Sequence, residues 1–233
     1  RLADADFFFK EDRKRPLADR LEDLKKVTYQ ADLGNSFEKV QRFSRLARYL
    51  AERVLPDGLE NVETAASLSK CDLVTLMVTE FPSLQGVMGM EYARIEGYPE
   101  AACLPIYEHY LPTKAGDVLP SGSVGAVVGM ADRMDTIAGC FAVGLTPSGS
   151  ADPFALRRHA LAILRILEEK RWDVSLPEFI EKSLEILRET IEIQEQRLSE
   201  NILEFFRERY RQMVRRSGYE PEVVEAVVSA CFE

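Results

Sequence analysis

Three carboxylates stand where the surrounding sequence makes a charge costly. Asp72 lies in the apolar run Cys71-Asp72-Leu73-Val74, and Asp132 and Asp135 interrupt the apolar stretch from Val124 to Ala138. Spaced i, i+3, Asp132 and Asp135 share one helix face. Carboxylates on a mostly buried helix must be paired, hydrogen-bonded or bound to a cation. Two readings follow. One is a metal or general-acid site. The other is a structural ion pair with Arg133, Lys70 or an arginine of the 157–171 helix. The chain has two histidines, His109 and His159, so imidazoles alone cannot build a metal site, and each reads as a packing or polar residue. Ser123, Ser148 and Ser150 have no base at a spacing that suggests nucleophilic chemistry. GxGxxG, GxxxxGK[ST] and HExxH motifs are missing from the sequence. The glycines between 139 and 149 therefore read as turn-makers.

Two basic clusters are the other chemistry-bearing groups. Arg157, Arg158, Arg165, Lys170 and Arg171 fall on one helix and its end. Arg207, Arg209, Arg211, Arg215 and Arg216 fall on another. Either could track an RNA backbone, because Lys and Arg neutralise phosphates and release counterions. Either could equally be a solvated face carrying pairs such as Glu204–Arg207 and Glu208–Arg211. Asp152 and Pro153 suit the N-cap and first turn of the first of these helices. That places Arg157 and Arg158 near its N-terminal end. Adjacent helical residues point about 100° apart, so one arginine is expected to turn inward to Asp132 or Asp135 and the other to face solvent and phosphate.

The elements that position these groups read as helical. Phe37, Val40, Phe43, Ala47, Leu50 and Val54 form one apolar stripe, with Asn35 as N-cap and Pro56-Asp57-Gly58 as stop. A second helix is expected from Val62 to Thr79, a turn over 85–89, and a short helix from Met90 to Glu96. A helix over Ala101–Tyr110 is restricted by Pro105 to its second half. After a loop to Gly122 comes the buried helix from Val124, ending at Gly139. The Asp152 helix runs to about Arg171 on Leu156, Ala160, Ile163, Leu164 and Leu167. Ser175 and Glu178 have capping-box spacing for the next helix, which continues to Ile191. Ile202–Arg216 and a helix opened by Pro221 close the chain. From Glu178 to Glu204 there are eight glutamates against one lysine and two arginines. The fold class is all-α.

Composition sets the bounds. With 233 residues, 46% hydrophobic and 30% charged, the chain is neither disordered nor collagen-like and can bury a sizeable core. Its net charge of −9 argues against a non-specific DNA binder, but the uneven placement of charge leaves room for a selective RNA surface. Cys71, Cys103, Cys140 and Cys231 form no CxxC pair and read as buried, reduced thiols of a cytosolic protein. No apolar run reaches a membrane span. Arg1 to Lys10 lacks the pattern of a signal peptide, and without an initiator Met the chain reads as processed or as a piece of a longer one.

Several runs carry a family resemblance. They begin with Asp6-Phe7-Phe8-Phe9 and Asp12-x-Lys14-x-Pro16-Leu17. Lys70-Cys71-Asp72-Leu73-Val74-Thr75 follows, then Met77-Val78, Glu80-Phe81-Pro82 and Leu84-Gln85-Gly86-Val87-Met88-Gly89. Further on come Tyr92-Ala93, Glu108-His109-Tyr110-x-Pro112, Asp117-x-Leu119-Pro120 and Ala131-Asp132-Arg133-Met134-Asp135-Thr136. Pro147-x-Gly149-Ser150-x-Asp152-Pro153-Phe154-Ala155-Leu156-Arg157-Arg158 follows, with Phe205-Phe206-x-Glu208-Arg209 and Val224-x-Ala226-Val227 near the end. In this order they resemble the beta subunit of the bacterial two-subunit glycyl-tRNA synthetase.

The resemblance implies an HD-domain-like helical bundle over 1–172, including an N-terminal lead-in, and a C-terminal helical extension over 173–233. The positions of an HD metal site fall on Cys71, Asp72 and Asp132, with Asp135 beside them. Cys71 stands where the family of phosphohydrolases has His, and no His precedes His109. These positions are therefore expected to be vestigial and structural, with no metal, no cofactor and no catalytic residue on this piece. The complete enzyme uses ATP to join glycine to tRNA(Gly), with an alpha subunit as partner in an alpha2beta2 assembly in the cytoplasm. The piece itself is expected to be a non-catalytic scaffold for tRNA binding or subunit contacts, with Arg157, Arg158, Arg165, Lys170 and Arg171 as the tRNA-binding candidates. The rivals are a metal-dependent HD-type nucleotide phosphohydrolase and a purely structural helical domain.

Overall fold

The computed structural model describes residues 2–114, 116–193, 195–216 and 218–232, with the side chains of Leu2, Cys231 and Phe232 outside that description. The expectation for Cys231 therefore lies outside the described side chains, while Cys71, Cys103 and Cys140 are buried free thiols. Among the described residues the fold is all-α apart from one small antiparallel hairpin, β1 (Thr28–Gln30) with β2 (Gly34–Asn35). Helix α1 (Leu2–Asp12) precedes that hairpin, and α2 (Ser36–Val54) leaves it directly. Asn35 and Glu38 close a complete capping box, because each side chain accepts the other residue's backbone N–H, at 3.0 and 2.8 Å.

The expected helix over 62–79 is broken in two. Helix α3 (Leu59–Leu68) stops, a 3-10 turn covers Cys71–Val74, and α4 (Leu76–Glu80) restarts. Two groups supply the new start. Thr75 accepts from the Val78 N–H, and the carboxylate of Asp12 accepts from the N–H groups of Leu76 and Met77, both at 2.9 Å. A helix start leaves free N–H groups that need acceptors, and a carboxylate more than sixty residues away provides them here. Asp72 thus sits on a tight turn rather than within a helix.

Helix α5 (Val87–Ile95) begins earlier than expected and includes Gly89. Helix α6 (Glu100–Glu108) runs straight through Pro105, whose missing N–H deprives only the Ala101 carbonyl. Helix α7 (Ser123–Ala142) passes through Gly139. Then come α8 (Leu156–Lys170), α9 (Leu176–Arg188), α10 (Leu198–Arg216) and α11 (Pro221–Phe232). Ser175 caps α9 as expected, though the helix ends before Ile191.

Helix α7 is the axis of the molecule. It packs on α2, α3, α6, α8, α9 and α10. Small residues make that possible: a Cβ on Gly129 would lie 2.9 Å from the His109 carbonyl oxygen, so α6 and α7 meet backbone to backbone there. The core is continuous from Phe43 on α2 through Met130, Met134 and Ile137 on α7 to Phe179 on α9 and Phe206 on α10.

Candidate functional site

Two groups of charged side chains stand out, one inside and one at the surface. Inside, Asp132 and Asp135 project from α7 toward α2. Arg42 donates through Nε to Asp135 Oδ1 at 2.7 Å, and Lys39 donates through Nζ to Asp135 Oδ2 at 3.0 Å. The same ammonium reaches Thr136 Oγ1 at 2.8 Å and lies 2.9 Å from Asp132 Oδ1. Lys70 completes the group, with its Nζ 2.9 Å from Asp132 Oδ2 and 2.9 Å from His109 Nε2.

The protonation states follow from the geometry. His109 Nδ1 faces the Ile106 carbonyl at 2.8 Å, so it carries the proton and leaves Nε2 to accept from Lys70. Burial, then the Lys70 ammonium, pushes the His109 pKa well below its ordinary value. Burial opposes the charge on Asp132, but Lys39 and Lys70 outweigh it and hold the carboxyl well below the usual range. Burial likewise opposes Lys39, and Asp132, Tyr29 and Asp135 more than offset it. Among the described residues no group of three or more His, Cys, Asp or Glu side chains comes together as a metal cage. Around Asp132 the near neighbours are ammonium groups, which repel a metal cation.

Of the three partners expected, one is present. Lys70 does pair with Asp132, but Arg133 does not, and no arginine of α8 does. Arg133 is buried and donates to the carbonyls of His109, Gly129, Tyr110 and Leu111 at 2.7–2.9 Å. It satisfies acceptors left open at the C-terminal end of α6, and burial pushes its pKa down to about 10. Lys39 and Arg42 escaped the sequence reading. Their signal was there: both stand among the apolar residues of the inner stripe of α2 and are buried with it.

Asp72 and Cys71 do different work from Asp132. Asp72 Oδ2 accepts from the N–H groups of Gly86 and Gly89 at 2.6 and 3.2 Å, which caps α5. Burial still raises its pKa above the usual carboxylate value. Cys71 Sγ donates to the Ser67 carbonyl at 3.4 Å, and burial pushes the thiol up to about 12. Neither residue shares a hydrogen bond with Asp132.

The surface region is a groove of about 540 Å³ beside α8, with Lys114, Arg157, Arg158, Arg165 and Arg216 around it and Asp152 within it. Helix α8 starts at Leu156, three residues later than Pro153 suggested, after Ala155 in a left-handed conformation at φ 55°. Asp152 nevertheless caps it across the turn, accepting from the N–H groups of Leu156 and Arg157 at 2.8 and 3.0 Å. Neither Arg157 nor Arg158 turns inward. Arg157 donates to the Gly149 carbonyl at 2.8 Å and Arg158 to the Thr113 carbonyl at 2.9 Å. The core stripe of α8 already occupies the inward face, which leaves Arg157 on its flank and Arg158 opposite.

Arg165 and Lys170 bind the carbonyls of Asp117 and Ser121, at 3.0 and 2.9 Å. Three cations of α8 therefore strap down the 111–122 loop. Lys170 and Arg171 lie outside the groove lining, and Arg171 ends the helix in a left-handed turn at φ 52°. The second basic cluster is largely neutralised. Arg207 pairs with Glu204, Arg211 with Glu208 and Glu225, and Arg215 with Glu225. Of that cluster Arg216 lines the groove, the one member to join the residues of α8 there.

Comparison with known proteins fixes the lineage. The family model described as glycyl-tRNA synthetase beta subunit matches residues 1–229. The chain belongs to the glycyl-tRNA synthetase beta subunit family. Curated relatives agree. The glycine–tRNA ligase beta subunit of Syntrophotalea carbinolica is 50% identical over the whole chain, that of Geobacter sp. (strain M21) 48%, and that of Syntrophus aciditrophicus 45%. The match takes in 100% of this chain and 34% of each relative, so the chain spans about a third of the length of these beta subunits. Among the described residues of this family member no helix is long and apolar enough to cross a membrane.

Proposed function

We propose that this chain is the part of a glycine–tRNA ligase beta subunit that offers a phosphate-binding groove to tRNA(Gly) and carries no catalytic group. In the complete enzyme it works with an alpha subunit, as alpha2beta2 in the cytoplasm, while ATP drives attachment of glycine to tRNA. One observation supports the groove: Lys114, Arg157, Arg158, Arg165 and Arg216 surround a single carboxylate, Asp152, that two backbone N–H groups already engage. The groove is thus locally cationic on a chain of net charge −9. The exposed glutamates of α9, Glu178, Glu181 and Glu185, set the opposite sign elsewhere and disfavour phosphate there.

Arg158→Ala and Arg216→Ala should each weaken tRNA(Gly) binding and lower the salt slope by roughly one unit. Salt-titrated binding measures this, and unchanged slopes for both would defeat the groove reading. The vestigial reading of Cys71, Asp72, Asp132 and Asp135 has its own test. Lys39 and Lys70 fill the space in front of Asp132, so protein purified without chelator should hold no stoichiometric Fe, Mn or Zn and hydrolyse no nucleotide phosphate. Metal analysis that finds one ion per chain would overturn it.

A further inference from the structure

The floor of the groove is apolar, which phosphate contact alone does not require. Leu161 and Met213 are half-buried in the lining that they share with the arginines. On α8 the order is Arg158, Leu161, Arg165, at i, i+3 and i+7, so one stripe alternates cation, apolar residue and cation. The two arginines are about 10 Å apart along the axis, with the leucine between them.

A double helix has no use for such a floor. Its bases are stacked inside, and a protein meets its phosphates and groove edges on a convex surface. A single strand is different, because an unstacked base presents an apolar face beside its own phosphate. The groove volume of about 540 Å³ lies within the range of small-ligand sites. Arg158 and Arg165 each donate to a loop carbonyl, of Thr113 and Asp117, and a guanidinium has five N–H donors, so both retain donors for a ligand. The N-terminus of α8 is already occupied by Asp152. A phosphate is therefore kept off the backbone N–H groups of the helix end and left to the side chains of Arg158 and Arg216.

We infer that the groove receives one unstacked nucleotide of a single-stranded RNA segment, with its phosphate on Arg158 and Arg216 and its base on Leu161 and Met213. This deepens the reading of the groove as an RNA-phosphate site and rests on it. The Asp152 carboxylate excludes a second phosphate from its end of the groove and faces it with an acceptor.

The test uses this chain with a labelled eight-nucleotide oligoadenylate and a blunt-ended RNA duplex, both followed by fluorescence anisotropy. Arg158→Ala should weaken both ligands. Leu161→Gln should weaken oligoadenylate about fivefold, the loss expected for partial burial of one apolar side chain, and leave the duplex unchanged. In the unaltered chain the Met213 methyl resonance should shift on adding oligoadenylate and stay in place with the duplex, a readout that does not depend on a variant folding. If Arg158→Ala weakens both ligands while Leu161→Gln changes neither or both alike, and the methyl stays in place, the single-nucleotide inference fails and the phosphate groove stands. If Arg158→Ala changes neither ligand, both readings fail, as they would if the groove received another polypeptide.

Discussion

The cluster around Asp132 and the groove around Arg158 are built from the same kinds of side chain and treat charge in opposite ways. In the cluster Lys39, Arg42 and Lys70 lie against two carboxylates, Asp132 and Asp135. In the groove Arg157, Arg158 and Arg165 are held by backbone carbonyls, which carry partial charge only. The difference is one of solvent. A buried cation without compensating partners is costly, so the interior sets Lys39, Arg42 and Lys70 beside aspartates and surrounds Arg133 with four carbonyls. At the rim, water does most of the solvation, and a carbonyl is enough to orient a guanidinium without cancelling it. Charge retained at the surface is available to a ligand, while charge paired in the core specifies how α2 sits on α7.

The sharpest way to break this contrast is to remove one member from each region. Asp135→Ala strands Arg42 and leaves Lys39 with Asp132 alone, and should destabilise the fold by about 3–5 kcal/mol. Arg158→Ala should leave stability within about 0.5 kcal/mol. Urea denaturation of both variants measures this, and equal losses would sink the distinction.

Acid tests the interior more gently. His109 is held well below its ordinary pKa, and His159 is pushed down to about 4 by burial first and then by Arg133. Both are neutral in the fold at neutral pH. As pH falls below about 6.5 the unfolded chain takes up protons that the folded chain refuses. Stability is therefore full above that value and declines toward pH 4, by about 1.4 kcal/mol per pH unit for each histidine. The depressed carboxyl of Asp132 adds a loss only below its unfolded value near 3.9. The urea midpoint should drop clearly between pH 7.5 and pH 5, and identical midpoints would contradict neutral buried histidines.

The smallest effect belongs to the groove. Ala155 holds φ 55° at its edge, a conformation that costs an L-residue about 1 kcal/mol or more. Ala155→Gly removes the Cβ at fault and should raise Tm by about 2 °C. A lower Tm would mean that the glycine's added freedom in the unfolded chain outweighs the relief.

Local features were legible. The Asn35 N-cap, the inner stripe of α2, the buried character of α7 and the Ser175 cap depend on residues within one or two turns of each other. So do the Glu204–Arg207 and Glu208–Arg211 pairs. Where the reading erred, a distant group intervened. Asp12 restarts the chain at Leu76, which breaks the expected 62–79 helix. The inward turn expected of Arg157 or Arg158 failed although the α8 stripe itself pointed them away from the core.

The sequence by itself determined the all-α class, most helices and the family, because periodicity, caps and ordered motifs are properties of short neighbourhoods in the chain. It also determined that Asp132 and Asp135 must be paired, hydrogen-bonded or bound to a cation, since burying a carboxylate costs too much otherwise. Only the tertiary structure decided which cations those are. Lys39 and Arg42 lie more than ninety residues away, and the packing of α2 on α7 selects them over the adjacent Arg133. The groove was decided at the same level, where α8, α10 and the 111–122 loop meet. Arg158, Lys114 and Arg216 have no sequence relation to one another, and only the fold brings them to one surface.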